Sequence, residues 1–254
     1  MQVRKLFLPV RRMAGFIFTL IAAHLIALVS GWCARLILPL ISNMAWADIL
    51  YRVVFYSVQI ILPILALLIF TKGQLNQAGF NMHNKAMTLR LTALFLGGWA
   101  AFITLFYGIF LAVSPGFRFY VIQSFPLEAN RFVNNIVIGG LLAGIGEEPL
   151  FRALVTYILM KSFGTNISII DKKTIWVISI LTGVIFMSAH IDYVIVPAFS
   201  IVSIDPLNLA STLVLGTIWS MIYLRTKSLL GPILAHSGAN IIQYSVGQIA
   251  ATLL

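Results

Sequence analysis

The sequence predicts an all-α fold, a bundle of transmembrane helices that crosses the bilayer seven times. Of its 254 residues, 60% are hydrophobic and only 9% are charged, whereas soluble globular domains are about a quarter charged. The mean hydropathy is +1.00, and the apolar residues fall into runs of about 20, which is the length that crosses a bilayer as a helix. A water-soluble fold of this size has no interior for so much apolar surface, so we expect a single integral membrane domain over residues 1–254.

Seven apolar runs are long enough to be spans. No internal repeat, low-complexity tract or soluble linker divides them. Residues 33–48 are apolar enough to extend the first span or to form an interfacial helix, which would raise the count to eight. The seven spans are predicted at residues 13–32, 49–70, 91–114, 133–160, 174–190, 207–224 and 228–252.

The basic residues predict the orientation. The net charge is +10, but the bases are scattered singly between apolar runs, which does not favour nucleic-acid binding. The apolar run after the basic N-terminus is too long for a signal-peptide core. With a cytoplasmic N-terminus, four Lys and Arg fall outside, Arg152 lies inside a span, and twelve fall on the cytoplasmic side: Arg4, Lys5, Arg11, Arg12, Lys72, Lys85, Arg90, Lys161, Lys172, Lys173, Arg225 and Lys227. The cytoplasmic N-terminus and the short loops suit an integral protein of a bacterial inner membrane, and a protein of the endoplasmic reticulum membrane would show the same pattern.

Ionisable residues inside spans are costly and mark functional sites by default. In the fourth span, Glu148 and Arg152 are four residues apart, so they share a helix face and can pair. Glu147 points about 100° away and has no cation on its own helix, as suits a general base. Pro149 cannot donate a hydrogen bond, so we expect the helix to kink or open here. A buried ion-pair network is the alternative, and it explains Glu148 and Arg152 but not Glu147.

Two further pairs with the same spacing occur in the fifth and seventh spans. Phe186 and His190 share a face, so the phenyl ring restricts the imidazole. His236 and Asn240 also share a face and can aim two N–H groups at one oxygen, as an oxyanion-binding pair does. In isolation, His190 is equally explained as an interfacial residue, and His236 with Asn240 as an interhelical hydrogen-bond pair.

Helix geometry raises one difficulty for a common site. At 1.5 Å per residue, His236 is expected about 10 Å nearer the cytoplasmic end of its span than Glu147 or His190. Straight, parallel helices would then hold these side chains apart. Tilt, or a late helix start after Pro232, would reduce the difference.

These motifs resemble those of the CAAX prenyl endopeptidase and bacteriocin-processing family, the Abi-type glutamic intramembrane proteases. The matching motifs, within about residues 130–245, are E-E-P-L-F-R from Glu147, F-M-S-A-H ending at His190 and H-S-G-A-N from His236 to Asn240. The family's pattern is a double glutamate with an arginine four residues after the second, then F-x-x-x-H, then H-x-x-x-N or D.

The resemblance implies a role for each matching residue. Glu147 would be the catalytic glutamate and His190 its partner in activating water. His236 and Asn240 would stabilise the oxyanion, while Glu148 and Arg152 would order the site, with Phe186 as support for His190. The resemblance implies a metal-free endopeptidase, without a cofactor, that cleaves a membrane-associated peptide or protein.

Three other functions fit parts of the pattern. Two glutamates and two histidines suit zinc, although no H-E-x-x-H spacing is present. Because the family includes bacteriocin self-immunity proteins, a non-catalytic membrane scaffold or immunity protein that acts by binding is the main alternative. A transporter is disfavoured, since the sequence shows no inverted repeat. His24, alone in the first span, is expected to hydrogen-bond to a neighbouring helix.

Overall fold

The computed structural model describes residues 2–40, 44–126, 128–194 and 200–254. Apart from a short antiparallel hairpin, β1 (Asp192–Val194) and β2 (Ser200–Ser203), the regular elements described are helical, and the all-α class is confirmed. Two short 3-10 helices lie at Leu38–Leu40 and Leu75–Ala78. The helices are α1 (Gln2–Ile37), α2 (Met44–Phe70), α3 (Lys85–Val113), α4 (Pro115–Ser124), α5 (129–162), α6 (Lys172–Ser188), α7 (Pro206–Thr226) and α8 (Leu230–Thr252).

Within the described residues, four helical stretches are long and apolar enough to cross a membrane: Pro9–Ile37, Trp46–Phe70, Lys85–Val113 and Pro206–Thr226. They support an integral membrane protein built from apolar helices, while the count of seven spans stays a prediction. The other three predicted spans coincide with α5, α6 and α8. Of these, α6 has only 17 residues, and α8 carries several polar side chains that lower its hydropathy.

Residues 33–48 do not form a helix of their own in the described part of the chain. Residues 33–37 continue α1, and Leu38–Leu40 form a 3-10 turn. Residues 41–43 lie outside the described residues, and α2 begins at Met44. In the described residues, the structure therefore shows an extension of the first span and not a separate interfacial helix.

Helix α5 changes its hydrogen-bond register around the acidic pair. It consists of an α-helical turn (Ala129–Phe132), a π-helix (Val133–Leu142), an α-helix (Ala143–Glu148), a second π-helix (Pro149–Val155) and a final α-helix (Thr156–Ser162). The predicted disruption at Pro149 is thus a widening to i→i+5 bonds rather than a break. π-helical turns are rare and occur frequently at functional sites.

Small residues bring the helices of the core close together, as is common in membrane proteins. A Cβ added at Gly144 would lie 2.3 Å from Ser237 Oγ of α8, and one at Gly183 would lie 2.3 Å from Thr217 Oγ1 of α7. His24 Nε2 in α1 lies 3.3 Å from a backbone carbonyl oxygen at the end of α6. His24 Nδ1 also lies 2.8 Å from Leu20 O of its own helix; a neutral ring donates through one nitrogen only, so the predicted interhelical bond belongs to the tautomer with its hydrogen on Nε2.

The helix ends gather on two faces of the bundle. What we call the N-terminal face contains residues 2–12, 71–84, 163–171 and 227–229, and it is tied together by backbone contacts such as Leu229 N to Gly79 O at 2.8 Å. What we call the opposite face contains residues 38–40, 44–48, 114–126, 189–194 and 253–254. There Gln248 Nε2 of α8 donates to Phe125 O at 3.3 Å.

Candidate active site

Glu147, His190, His236 and Asn240 line one cavity of about 330 Å³. They come from α5, from the turn that follows α6, and from α8. The expected depth mismatch does not separate them. A π-helix holds more residues in each turn, so the second π segment of α5 brings Glu147 closer to the N-terminal face than an α-helical count predicts.

Glu147 is the carboxylate of this cavity that lacks a partner. Its side chain is half-buried, and its buried Oε2 has no hydrogen-bond partner among the described residues. The preceding residue, Gly146, lets Tyr56 pack directly on α5, since a Cβ there would lie 2.6 Å from the Tyr56 ring. Glu147 therefore faces the cavity beside an aromatic wall, without an ion pair of its own.

Glu148, on the other side of the helix, has a charged or hydrogen-bonding neighbour at each carboxylate oxygen: an ion pair at Oε2 and a hydrogen bond at Oε1. Arg152 Nε lies 3.0 Å from Oε2, the ion pair predicted from the spacing, and His236 Nδ1 lies 2.8 Å from Oε1. Glu148 and Arg152 are fully buried and His236 is nearly so. A buried charge is tolerated only when it is paired, and this cluster links α5 to α8 through such pairing.

The hydrogen bonds define the tautomers of the two histidines. His190 Nδ1 lies 2.8 Å from the carbonyl oxygen of Phe186, and a carbonyl only accepts, so Nδ1 carries the hydrogen. His236 Nδ1 faces the Glu148 carboxylate, which also only accepts. In each neutral ring Nε2 is then an acceptor. The expected donor role of His236 therefore requires its imidazolium form, whose charge Glu148 would balance.

Asn240 is held by a carbonyl of the first π-helical segment. Its Nδ2 donates to Gly139 O at 2.9 Å. An amide has two N–H groups, so one of them is used in this bond. Asn240 therefore has one amide N–H left for an oxyanion. His236 can offer a second N–H, at Nε2, only as an imidazolium.

Trp219 is a cavity residue that the sequence reasoning missed. Its ring stacks on His236 at 4.0 Å between centroids with an interplanar angle of 18°. The same indole lies 5.7 Å from the Arg152 guanidinium, which also sits 4.8 Å from the Phe186 ring. Because the two Nη atoms have no acceptor among the described residues, these aromatic faces are their main neighbours.

The other lining residues missed from the sequence come from several helices. Their spacing did carry a signal, because Arg52 lies four residues after Asp48 and pairs with it, and Gln243 and Tyr244 lie three and four residues after Asn240. A lone tyrosine or asparagine at a span end is typical of a membrane interface. These residues are Arg52, Tyr56, Asn208, Gln243 and Tyr244.

A second cavity of about 580 Å³ lies beside the first, between α3, α4 and α7. We call it the aromatic groove, because much of its wall consists of Trp99, Phe102, Phe106, Phe117 and Tyr120. Ser211, Leu215 and Gln243 line both cavities. The polar site therefore adjoins an apolar groove.

A zinc site would need several ligands close together. Among the residues that the structure describes, no group of three or more His, Cys, Asp or Glu side chains could hold a metal ion. Glu148 and His236, two of the four candidate ligands, bond to each other instead. The metal content of the protein stays a matter for measurement.

Comparison with known proteins identifies one family. Residues 129–242, a little under half of the chain, match the family model described as type II CAAX prenyl endopeptidase Rce1-like. The matched range contains all three motifs, and it confirms the family resemblance. No curated protein and no solved structure was found to match the chain.

Proposed function

We propose that this chain, whose residues 129–242 match the type II CAAX prenyl endopeptidase Rce1-like family model, is a membrane endopeptidase in which Glu147 activates water. The protease family and the apolar helices indicate intramembrane protease activity. The observation that carries the catalytic assignment is the buried, unpartnered Oε2 of Glu147 in a cavity shared with His190, His236 and Asn240. Glu148 is engaged through both oxygens, so Glu147 is the carboxylate available to accept a proton.

The first step is attack by water on the peptide carbonyl. Glu147 takes one proton from the water molecule, while Nε2 of His190, an acceptor in its neutral tautomer, holds the other hydrogen and orients the oxygen. The water oxygen bonds to the carbonyl carbon, and the carbonyl π electrons move to its oxygen. The bond from His190 Nδ1 to Phe186 O fixes the ring for this role.

The second step is collapse of the tetrahedral intermediate. The imidazolium N–H of His236 and the amide N–H of Asn240 stabilise its oxyanion. When the carbon–oxygen double bond re-forms, the C–N bond breaks, and Glu147 returns its proton to the leaving amine. In this mechanism the residues of the chain supply all the acid–base groups, and no metal is required.

The aromatic groove suits the apolar part of a membrane-associated substrate. Its wall offers aromatic side chains immediately beside the polar cavity, and the two share lining residues. An apolar stretch of peptide lying in the groove would place the adjoining amide over Glu147. In this proposal the aromatic groove binds the substrate through apolar contacts, and the residues of the polar cavity hydrolyse it.

Glu147→Gln and His190→Ala test the proposal in cells. Comparative proteomics of membrane and secreted fractions should show a peptide that is processed by the wild-type protein and accumulates uncut with either variant. Glu128→Gln is the matched control, because Glu128 is exposed and lies outside the cavity. Intact processing by both variants would overturn the proposal.

The same strains distinguish the enzyme from an immunity or scaffold protein. A binding function depends on the surface of the folded protein and not on the proton affinity of one carboxylate. If Glu147→Gln keeps full protection against a bacteriocin while no peptide accumulates, binding is the function. Loss of both readouts supports catalysis.

A further inference from the structure

We infer that the N-terminal face carries a binding site for the phosphate group of an anionic phospholipid. The site is a third cavity, of about 340 Å³, between the end of α5, the segment 163–171 and the 3-10 helix Leu75–Ala78. We call it the lysine pocket, after Lys161, the charged residue in its lining. None of the residues that line it also lines the polar cavity or the aromatic groove, so this inference does not depend on the proposed function.

The lysine pocket lies at the level where a predicted membrane span ends. The stretch Trp46–Phe70 of α2 is long and apolar enough to cross a membrane, and the Tyr157 hydroxyl donates to the carbonyl oxygen of Phe70 at 3.3 Å. Tyr157 lines the pocket, and tyrosine is enriched where the membrane meets water, at the depth of the lipid headgroups. The headgroups of surrounding lipids are therefore within reach of the pocket.

The polar side chains of the pocket offer hydrogen-bond donors. Lys161 is exposed, and its Nζ lies 5.1 Å from the centre of the Tyr157 ring, beside the pocket. Asn166 Oδ1 accepts from the backbone N–H of Ser168 at 2.9 Å, which orients the amide and leaves Nδ2 to donate. The exposed Ser168 adds a hydroxyl. An ammonium group together with neutral N–H and O–H donors suits the anionic oxygens of a phosphate.

The charge around the pocket favours an anionic lipid over a zwitterionic one. Among the described residues, no carboxylate lines the pocket, so the ammonium or choline group of a zwitterionic headgroup would have no anion to pair with. Lys227 brings a second positive charge, because its Nζ donates to the carbonyl oxygen of Ser168 at 3.1 Å. Asp171, the acid of segment 163–171, accepts from the backbone N–H and the hydroxyl of Thr174 as the cap of α6.

The apolar part of the lining suits the glycerol and the first acyl carbons of a lipid. Met160 and Ile167 are buried walls, whereas Ile169 is 71% exposed and would contact an acyl chain. Pockets for small ligands have volumes of about 300–1,000 Å³, so this cavity has room for a headgroup. Basic pockets between transmembrane helices are known to bind the headgroups of anionic lipids.

Lipid titration of the purified full chain in detergent tests the site. The probes are phosphatidylglycerol, phosphatidylethanolamine and phosphatidylcholine with identical acyl chains, and native mass spectrometry counts the bound molecules. The wild type should bind one phosphatidylglycerol several-fold more tightly than either zwitterionic lipid. Lys161→Gln should weaken this binding about fivefold, which corresponds to the contribution of one lysine near an anionic lipid surface. Lys161→Arg keeps the charge and should bind nearly as tightly as the wild type.

Lys85→Gln is the matched control for charge in general. Lys85 is exposed at the start of α3, at the same end of the bundle, and does not line the pocket. Its variant should bind phosphatidylglycerol as the wild type does. Equal losses in Lys85→Gln and Lys161→Gln would overturn the inference, because the attraction would then belong to the whole basic face. Equal affinity of the wild type for all three lipids would overturn it as well.

A soluble phosphate compound is the other source of the same chemistry. Inorganic phosphate lacks the apolar contacts with Ile169, so at matched ionic strength an equal concentration of it should not displace phosphatidylglycerol. Ile169→Ser should weaken phosphatidylglycerol binding and leave any binding of inorganic phosphate unchanged. Displacement of the lipid by an equal concentration of inorganic phosphate would overturn the assignment to a lipid.

Discussion

The N-terminal face and the opposite face of the bundle differ in how they end the same helices. On the N-terminal face, side chains and loops interlock: Arg11 Nε donates to Ser162 O at 2.7 Å, Asn81 Nδ2 to Lys227 O at 2.9 Å, and Ser228 Oγ to Asn81 O at 2.7 Å. On the opposite face the helices separate around the polar cavity and the aromatic groove. Among the described residues, the N-terminal end of the bundle is tied together by hydrogen bonds between loops, and the other end surrounds the two cavities that the candidate site uses.

Because of this difference, we expect substitutions in the two regions to affect different properties: unfolding on the N-terminal face and catalysis around the cavity. The residues that make these hydrogen bonds line neither the polar cavity nor the aromatic groove, so their substitution should change unfolding more than catalysis. Residues around Glu147 have unsatisfied or shared polar groups, which is common where function opposes stability. The Glu148–Arg152–His236 cluster lies between the two regions and should affect both.

The largest structural effect is expected for Arg152→Met. It leaves the buried Glu148 with His236 as its remaining partner, and breaking a buried pair costs about 3–5 kcal/mol. Thermal unfolding of the purified protein in detergent should show a markedly lower Tm. Arg131→Met, at an exposed site, is the control and should leave the Tm unchanged. Equal Tm values for both variants would contradict the role of the cluster.

Glu148→Gln should reduce both stability and catalysis, because it also leaves the buried Arg152 guanidinium without its carboxylate partner. A glutamine keeps the shape of the side chain but does not balance the charge of a His236 imidazolium, and hydrogen bonds to charged groups contribute about 1.5–3 kcal/mol. We expect kcat to fall by about 10- to 100-fold with little change in KM. A change confined to KM would argue against this positioning role.

Gly79→Ala should weaken the N-terminal face and leave the site intact. Gly79 has a φ of +83°, and an added Cβ would lie 2.4 Å from the Tyr223 ring. A left-handed conformation costs a residue with a Cβ about 1–2 kcal/mol, so the Tm should decrease. Gly97→Ala, where a Cβ would meet nothing within 4 Å, is the matched control. A Gly79→Ala protein with a lower kcat and an unchanged Tm would contradict the claim that the N-terminal face affects stability rather than catalysis.

Asp171→Ala should have the smallest effect, and that effect should depend on pH. Asp171 caps α6, and the hydrogen bond from the Thr174 hydroxyl, together with that from its backbone N–H, lowers the pKa of the carboxyl. A lowered pKa means that this stabilisation is present above the ordinary pKa of about 4 and is lost as the pH falls through the folded value. The Tm difference between wild type and variant should therefore narrow in acid. A constant difference would contradict the assignment.

The sequence predicted the parts of the site that lie within single helices. The pairs Glu148 with Arg152 and Phe186 with His190 follow from i, i+4 spacing, and both are in contact. Pro149 signalled a disturbed turn, but the form of that turn, a π-helix over Pro149–Val155, does not follow from the position of the proline. Spacing predicts which side chains share a face and does not predict how the helices meet.

Contacts between helices were the part that spacing could not provide. The bond from His236 to Glu148 joins residues 88 positions apart, and it changes the donor expected of His236 into an acceptor in the neutral ring. Trp219 resembles an ordinary core residue in the sequence, yet it stacks on His236. Both follow from the approach of α7 and α8 to α5, which one sequence read alone does not specify.

The most direct test of the central claim is hydrolysis by purified protein in detergent with Glu147→Gln. General acid–base groups contribute about 10²- to 10⁴-fold to rate, so a quenched peptide that the wild type cleaves should be cleaved at least about 100-fold more slowly. Glu128→Gln makes the same chemical change outside the cavity and should retain the wild-type rate, and metal analysis of the active preparation should find no stoichiometric zinc. A Glu147→Gln protein that is folded, shows the wild-type Tm and cleaves the peptide at the wild-type rate would contradict the account.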